Sequence, residues 1–437
     1  MKTFRKIYHD QSHIRPRSVI KNNLKYMAEP HGQNDDTSAL VPASYTNDES
    51  VFKTYSIKYG FTKDTIVSTS EGPFHSGDLR DFNKRIKVIN QAGCVLKSDG
   101  VRSGGVQDIF GLLTDSSYIK GASAHQVLRI SDDYTSEMTA LTDLRKGDLV
   151  VCQKGIFGSR EPVYNDECLD VFEVQELGKH ICNMSMDNIQ KSGLYLSDKF
   201  NNKSGYFSIN IYNILNKFDA FVYRVPKKIL YAPKEYVAAY LRGYFDGGTR
   251  FHLNRITATA ACRELASDIV YLLNLFEINA EITKTLSGFD VVISGRDDID
   301  MFRQEVEFLK NTHDFSGASV KPVNSGVDYE KLRKEYNARV PEISQDVLGL
   351  PQDLAELMKQ LEKYEESFRL LGLEHKFNTL KLLSHTGCRV TEVTEYAKYT
   401  GRDEVFGVIN VDGNHTWCAN GIVVSDIIHS DNPAGQM

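Results

Sequence analysis

Two histidines, His125 and His415, lie in segments with strand patterning. Each could move a proton near neutrality, although a histidine on a β framework is more often structural than catalytic. An acidic residue, Asp426, closes the last apolar run of the chain, and a second, Asp246, sits among small residues in Leu241-Arg-Gly-Tyr-Phe-Asp-Gly-Gly-Thr249. A third group is cationic. Arg250, His252, Arg255 and Lys284 fall on segments that read as strands. Such charges either meet phosphates or form an ordinary solvated face.

The elements that must position these residues change along the chain. Val405 to Asp426 alternates apolar and polar residues around two tight-turn signals, Asp412-Gly413 and Asn420-Gly421, which predicts short antiparallel strands. Residues 60–160 are strand-rich, with short alternating segments and Gly-centred turns. From 161 to about 394 strands mix with helices, and strands then return. Arg263 to Ile278 has the spacing of an amphipathic helix. Ala280 to Leu286 and Phe289 to Ser294 read as a hairpin, and Asp298 to Leu309 as a helix. Arg250 to Ala258 suggests a strand. Within 350–385, Leu354, Leu357, Leu361, Tyr364, Phe368 and Leu371 form one stripe, expected to pack in the core of the insert.

At 437 residues the chain should hold two or more domains with ample core. A net charge of −6 excludes a generally basic nucleic-acid coat. Residues 1–26 nevertheless carry seven Lys/Arg against one Asp, a basic arm that either contacts phosphate or is a solvated tail. Residues 27–50, rich in Asn, Asp, Ser and Pro, read as a linker. Seven cysteines without a Cys-x-x-Cys argue for a reduced compartment and against a zinc or disulfide framework. No segment reads as a signal peptide or membrane span, so an intracellular location, cytoplasmic or nuclear, is expected.

The end of the chain resembles the C-terminal splicing block of an intein, in Gly413-Asn-His415 before an aromatic residue and in Asn420-Gly-Ile-Val-Val424. The upstream half that an intein requires is similar too. Gly60-Phe-Thr-Lys-Asp64-Thr65 looks like the opening block. Gly121-Ala-Ser-Ala-His125 looks like the second, and Leu141 to Val151 fits the strand-entering segment after it. Splicing chemistry needs a first-position Cys or Ser to attack the preceding carbonyl; here Gly60 has no nucleophile. Ala122 replaces the Thr that polarises that peptide, and Gly407 replaces an Asp. Ser425-Asp426 stands where His-Asn is usual, and Ile427 stands where a nucleophile follows. The resemblance therefore implies a hedgehog/intein β fold in which Gly60, His125, His415 and Asp426 converge, with splicing lost.

Leu241 to Thr249 resembles the LAGLIDADG motif of homing endonucleases. There a helix packs on a second copy through small residues, here Gly243 and Gly247. An acidic residue at the helix end holds a divalent metal for phosphodiester hydrolysis. The resemblance implies Mg²⁺ at Asp246, double-stranded DNA as partner, and a strand saddle bearing Arg250, His252, Arg255 and Lys284. The usual acidic position is Gly248, and no clear first copy of the motif is legible in 161–230: Val174 to Ile181 and Ile209 to Phe221 are the places for a degraded one, but neither has the Gly and acidic spacing, so the resemblance also carries self-association through the motif helix. The expected fold class is mixed: an all-β hedgehog/intein domain interrupted by an α/β LAGLIDADG endonuclease-like domain. The expected divisions are 1–59 (arm and linker), 60–160 and 395–427 (β domain), 161–394 (insert) and 428–437 (tail). The expected function is duplex recognition of homing-endonuclease type; the alternative is a non-splicing structural or binding domain of a domesticated intein.

Overall fold

The structure, a computed structural model, describes residues 59–80, 85–164, 167–190, 217–218, 223–252, 254–286, 288–307, 318, 334, 358–359, 361–385, 387–413 and 415–426. The basic arm, the linker, Ile427 and the C-terminal tail lie outside these residues. The described residues belong to one compact unit, Ser56–Tyr195 with Ser204–Met437.

The N-terminal half of the β domain runs β1 (Phe61–Thr62), β2 (Ile66–Thr69), β3 (Gly72–His75), a single helical turn α1 (Ser76–Leu79), β4 (Ile86–Ile89), β5 (Val95–Ser98), β6 (Gly100–Thr114), β7 (Tyr118–Ala122), β8 (Gln126–Ile130), β9 (Ser136–Ala140) and β10 (Leu149–Gln153). The insert follows: a small hairpin, β11 (Val163–Tyr164) and β12 (Glu167–Cys168), then α2 (Val171–Gln190), α3 (Lys227–Leu230), α4 (Lys234–Gly248), β13 (Arg250–His252), β14 (Arg255–Ala260), α5 (Arg263–Leu275), β15 (Glu281–Thr285), β16 (Gly288–Ile293) and α6 (Arg296–Glu305). Two short helices, α7 (Glu365–Leu370) and α8 (Glu374–Leu383), precede the return of the β domain as β17 (Cys388–Ile409), β18 (Thr416–Ala419) and β19 (Ile422–Ser425). The fold is thus mixed: a large antiparallel sheet interrupted by an α/β domain with its own four-stranded sheet.

The two halves of the β domain are interleaved. β17 pairs with β6, β10 and β1, while β19 pairs with β8 and β10. Gln153 pairs directly with Cys388, so the insert leaves and re-enters at facing residues. Phe61, Val67, Val127, Val150, Phe406, Trp417 and Val424 share one core drawn from both halves. Apolar burial of this kind is the main stabilising contribution. The β18–β19 turn is the one the sequence predicts: Asn420 and Gly421 have φ of +48° and +82°, as two-residue hairpin turns require. Asn420 also ties the halves. Its Oδ1 accepts from Ile66 N–H at 2.6 Å and its Nδ2 donates to Tyr118 O at 2.7 Å.

Two expectations are refined. The stripe Leu361, Tyr364 and Phe368 is buried, but against Leu128, Val151, Cys418 and Val423 of the β domain rather than inside the insert. Leu371 is exposed, and Leu354 and Leu357 lie outside the described residues. The single strand expected over Arg250 to Ala258 is a hairpin, with His252 facing Arg255. No described helix is long and apolar enough to cross a membrane.

Candidate functional site

Of the four residues expected to converge, Gly60 meets His125 and Asp426 meets His415. Phe61 is held between Phe406 and Gly121, its ring filling the space that a Cβ on Gly121 would need. This places the Gly60 N–H 3.0 Å from His125 Nδ1, to which it donates, while the Gly60 carbonyl accepts from Ala122 N–H at 2.9 Å. Since Nδ1 accepts, the ring proton belongs on Nε2. His125 is fully buried against Phe61, with ring centroids 4.1 Å apart. Burial drives its pKa down to about 3, opposed in part by the Ser425 backbone, so the imidazole is neutral at physiological pH. The pairing of Val424 with Val127 brings β19 alongside the strand that follows His125. Beyond Ser425, Asp426 is closed into the loop before β18. Its Oδ2 accepts from Val411 N–H at 2.5 Å and lies 3.1 Å from His415 Nδ1, and its N–H donates to His415 O at 2.8 Å. The junction holds both ends of the β domain, but neither Gly60 nor Asp426 offers the hydroxyl, thiol or amide that splicing uses.

The second arrangement is a helix pair. α4 lies against α2 at van der Waals distance of the backbones. A Cβ on Gly243 would fall on the Gln175 carbonyl oxygen, and one on Gly178 would fall on the Tyr240 carbonyl oxygen. Each glycine faces the residue three before the other, so the two helices are related as equivalent copies about a two-fold. A Cβ on Gly247 would also come within 2.8 Å of the Lys179 oxygen. The face of α4 that the sequence offered for self-association is thus filled by α2 of the same chain.

α4 leads into the four-stranded sheet, ordered β13-β14-β16-β15. One face, with Ile256, Ala258, Val291 and Ile282, is buried beneath helix α5. Strand alternation puts Arg250, His252, Arg255, Thr257, Thr259 and Asp290 on the other. The paired registers of Arg250 with Thr257 and of Thr259 with Asp290 fix this. Lys284 is different. It pairs with Phe289, two places along from Ile282, and so shares the buried face. Its Nζ donates to Glu395 of β17 at 2.8 Å, and hydrogen bonds from Lys284 and then Lys398 hold the Glu395 carboxyl down to about 2. Three of the four residues expected on the saddle therefore stand together, and the fourth, Lys284, is turned toward the β domain.

Residues 235–307 match the LAGLIDADG-like domain family. The match takes in α4, both hairpins, α5 and α6. Among curated proteins, 203 residues are 28% identical to probable translation initiation factor IF-2 of Thermococcus kodakarensis, covering 42% of this chain and 17% of that protein. A 72-residue stretch is 39% identical to a subunit of the A-type ATP synthase of Methanopyrus kandleri, covering 16% of this chain and 7% of that protein. The chain thus spans less than a fifth of either relative. Among solved structures, a mutant of the Ssp DnaB mini-intein is 10% identical, covering 85% of this chain and 99% of that one at a TM-score of 0.28. A DnaB intein from Synechocystis sp. PCC 6803 is 20% identical, covering 22% of this chain and 69% of that one at a TM-score of 0.19. At such scores the overlaps carry no weight, and the β domain is read from its own strand order.

The LAGLIDADG-like domain does not present a fitting Mg²⁺ site. Both carboxylate oxygens of Asp246 are buried. Five residues after each contact glycine, where the resemblance places acids, stand Gly248 and Asn183. Among the described residues no three His, Cys, Asp or Glu side chains gather as metal ligands. A hard cation wants carboxylate oxygens, and these two equivalent positions supply none.

Two features escape a reading of the sequence. One is Gly178, a small residue within the apolar run Val174 to Ile181; its spacing from Leu177 and Ile181 is the available signal. The other is a half-buried ion cluster, with Asp268 its buried member, that fastens the LAGLIDADG-like domain to the opening block. Arg224 Nε donates to Asp268 Oδ2 at 2.7 Å, and its Nη1 bonds Asp64. Burial alone would raise the Asp64 carboxyl, but the Arg224 and Lys120 charges outweigh it and hold it below the usual range. No local pattern announces such a long-range pair.

Proposed function

We propose that this chain is an intein-derived protein that has lost splicing and recognises double-stranded DNA through the outer face of its four-stranded sheet, without Mg²⁺-dependent cleavage. The observation that carries the reading is the LAGLIDADG-like match at 235–307 together with the alignment of Arg250, His252 and Arg255 on the face opposite α5. A twisted sheet bearing guanidinium groups on one face fits phosphates and major-groove base edges. Two relatives with unrelated names, each matched over a small part of its length, support a segment that sits within different hosts. Loss of splicing is supported by Gly60, Ala122, Asp426 and Ile427, which replace a group at each step of that chemistry. Loss of cleavage is supported by Gly248 and Asn183, which stand where the resemblance places acids on the two paired helices.

The test is anisotropy of a labelled random-sequence duplex from about 50 to 200 mM salt. Binding should weaken linearly in log–log form, and Arg255→Ala should reduce the slope by about one if that residue meets a phosphate. Absence of binding at the lowest salt would move the chain to a purely structural role, the reading that the Lys284–Glu395 pair would then favour.

A further inference from the structure

On the outer face of the sheet, Arg250 is not a free surface cation. Its Nη2 donates to Asp290 Oδ2 at 2.7 Å and lies 3.4 Å from Thr259 Oγ1. Thr259 Oγ1 in turn donates to Asp290 Oδ1 at 3.0 Å. The three residues sit on β13, β14 and β16, so the contacts cross three neighbouring strands. The acid is mostly covered, its side chain 13% exposed, while the arginine side chain remains 56% exposed. The carboxylate is therefore pinned from below and grips one nitrogen of a guanidinium that still faces solvent.

An acid at this place is costly for simple phosphate attraction. It cancels the charge of Arg250 and repels the duplex backbone. What it provides is orientation: a long flexible side chain loses its rotamer freedom before binding rather than during it. A fixed guanidinium can present a fork to two acceptors in one plane. In the major groove that pattern is the O6 and N7 pair of guanine.

We infer that Asp290 is a positioning residue that sets Arg250 to read one guanine in the major groove of the bound duplex. This rests on the DNA reading above. Thr259 holds the acid, Asp290 holds the arginine, and Arg250 touches the base. Specificity at that position is gained at the expense of general affinity.

The experiment is selection of bound sequences from a randomised duplex library, run on the full chain and on Asp290→Asn, Thr259→Val and Arg250→Lys. The parent should enrich guanine at one position. Asp290→Asn should flatten that preference by about tenfold, the usual weight of one bidentate contact, while raising affinity for random duplex because a negative charge is gone. Arg250→Lys should lose the same preference yet keep the salt slope, since a point charge remains without a fork. Thr259→Val should give a smaller loss in the same direction, and it covers the case in which Asp290→Asn does not fold. Uniformly tighter binding by Asp290→Asn, with the guanine preference intact, would overturn the positioning role and leave the DNA reading standing. A parent chain that binds no duplex at all would instead remove the DNA reading itself.

Discussion

The junction at Gly60, His125 and Asp426 and the α2–α4 helix pair have kept different things. At the junction the polar contacts survive: Gly60 N–H on His125, and Val411 N–H with His415 on Asp426. At the helix pair the close approach survives, with Gly178 and Gly243 seated on facing carbonyls. In both, the reacting groups expected by resemblance are gone while the residues that set the backbone remain. The difference shows what holds each region. A junction of strands must satisfy buried N–H and C=O groups, so its polar partners are structural as well as chemical. A helix pair satisfies its own backbone and needs only small residues at the contact, so the acids five residues beyond the contact glycines can disappear at no structural cost.

The comparison breaks most easily at the helix contact. Gly243→Val should cost several kcal/mol, about 3 or more, because the new side chain meets backbone rather than a movable side chain. Thermal melting should show a large fall in Tm or loss of soluble protein. A Tm within a degree or two of the parent would mean the helices are not this close. Arg224→Met should come next, at about 3 kcal/mol, because it strands the buried Asp268 carboxylate beside Asp64. Burial already raises the Asp268 carboxyl, with Arg224 opposing, so loss of the arginine should raise it further. Urea unfolding at pH 7 measures this. A change below about half a kcal/mol would reduce the cluster to a surface pair.

Much of the fold is legible in the sequence because its signals are local. Asn420-Gly421 specifies its turn by φ alone, and the apolar run around it specifies short strands, which the core buries on both faces. α4 is readable because Leu241 to Thr249 resembles the LAGLIDADG motif, with Gly243 and Gly247 as its small residues. What escapes depends on pairing across long sequence separations. Lys284 can be placed on a strand, but only the β15–β16 register shows that it shares a face with Ile282 and not with Arg250. Gly178 is hard to see because the acid that usually accompanies it is absent, although the packing needs only the glycine. Asp290 gives no signal, since its partners Arg250 and Thr259 come from two other strands.

A smaller effect separates the junction histidine from an ordinary surface one. His125 and His75 are both buried, and burial lowers each pKa to about 3 from an unfolded value near 6.5. The unfolded chain then binds protons below about pH 6.5 that the folded chain refuses. Stability therefore rises with pH across roughly 3 to 6.5, and each histidine contributes a slope of up to about 1.4 kcal/mol per pH unit. His125→Gln should remove about one proton from that slope, whatever it does to absolute stability. Denaturant midpoints at pH 5, 5.5 and 6 read it out; parallel curves for parent and variant would mean that His125 titrates normally and is not buried.

The smallest expected effect is none, and it concerns splicing. Gly60→Cys restores the missing nucleophile, so a junction that had lost only that group would resume its chemistry. Gly60 has φ of +140°, and a Cβ there would lie 3.0 Å from both the Phe406 oxygen and the Val405 Cβ. A cysteine must therefore strain the backbone or push β17 aside before its sulfur can approach the Tyr59 carbonyl. Should it succeed, Ala122 gives no hydroxyl to polarise that carbonyl, Ile427 cannot accept the acyl group, and Asp426 has no amide nitrogen to cyclise. Both the parent and Gly60→Cys should stay at full length by intact mass. A ligated product whose junction peptide joins Tyr59 to Ile427 would show that the surviving His125 contact is enough to run the reaction, and that the junction keeps more than its scaffold.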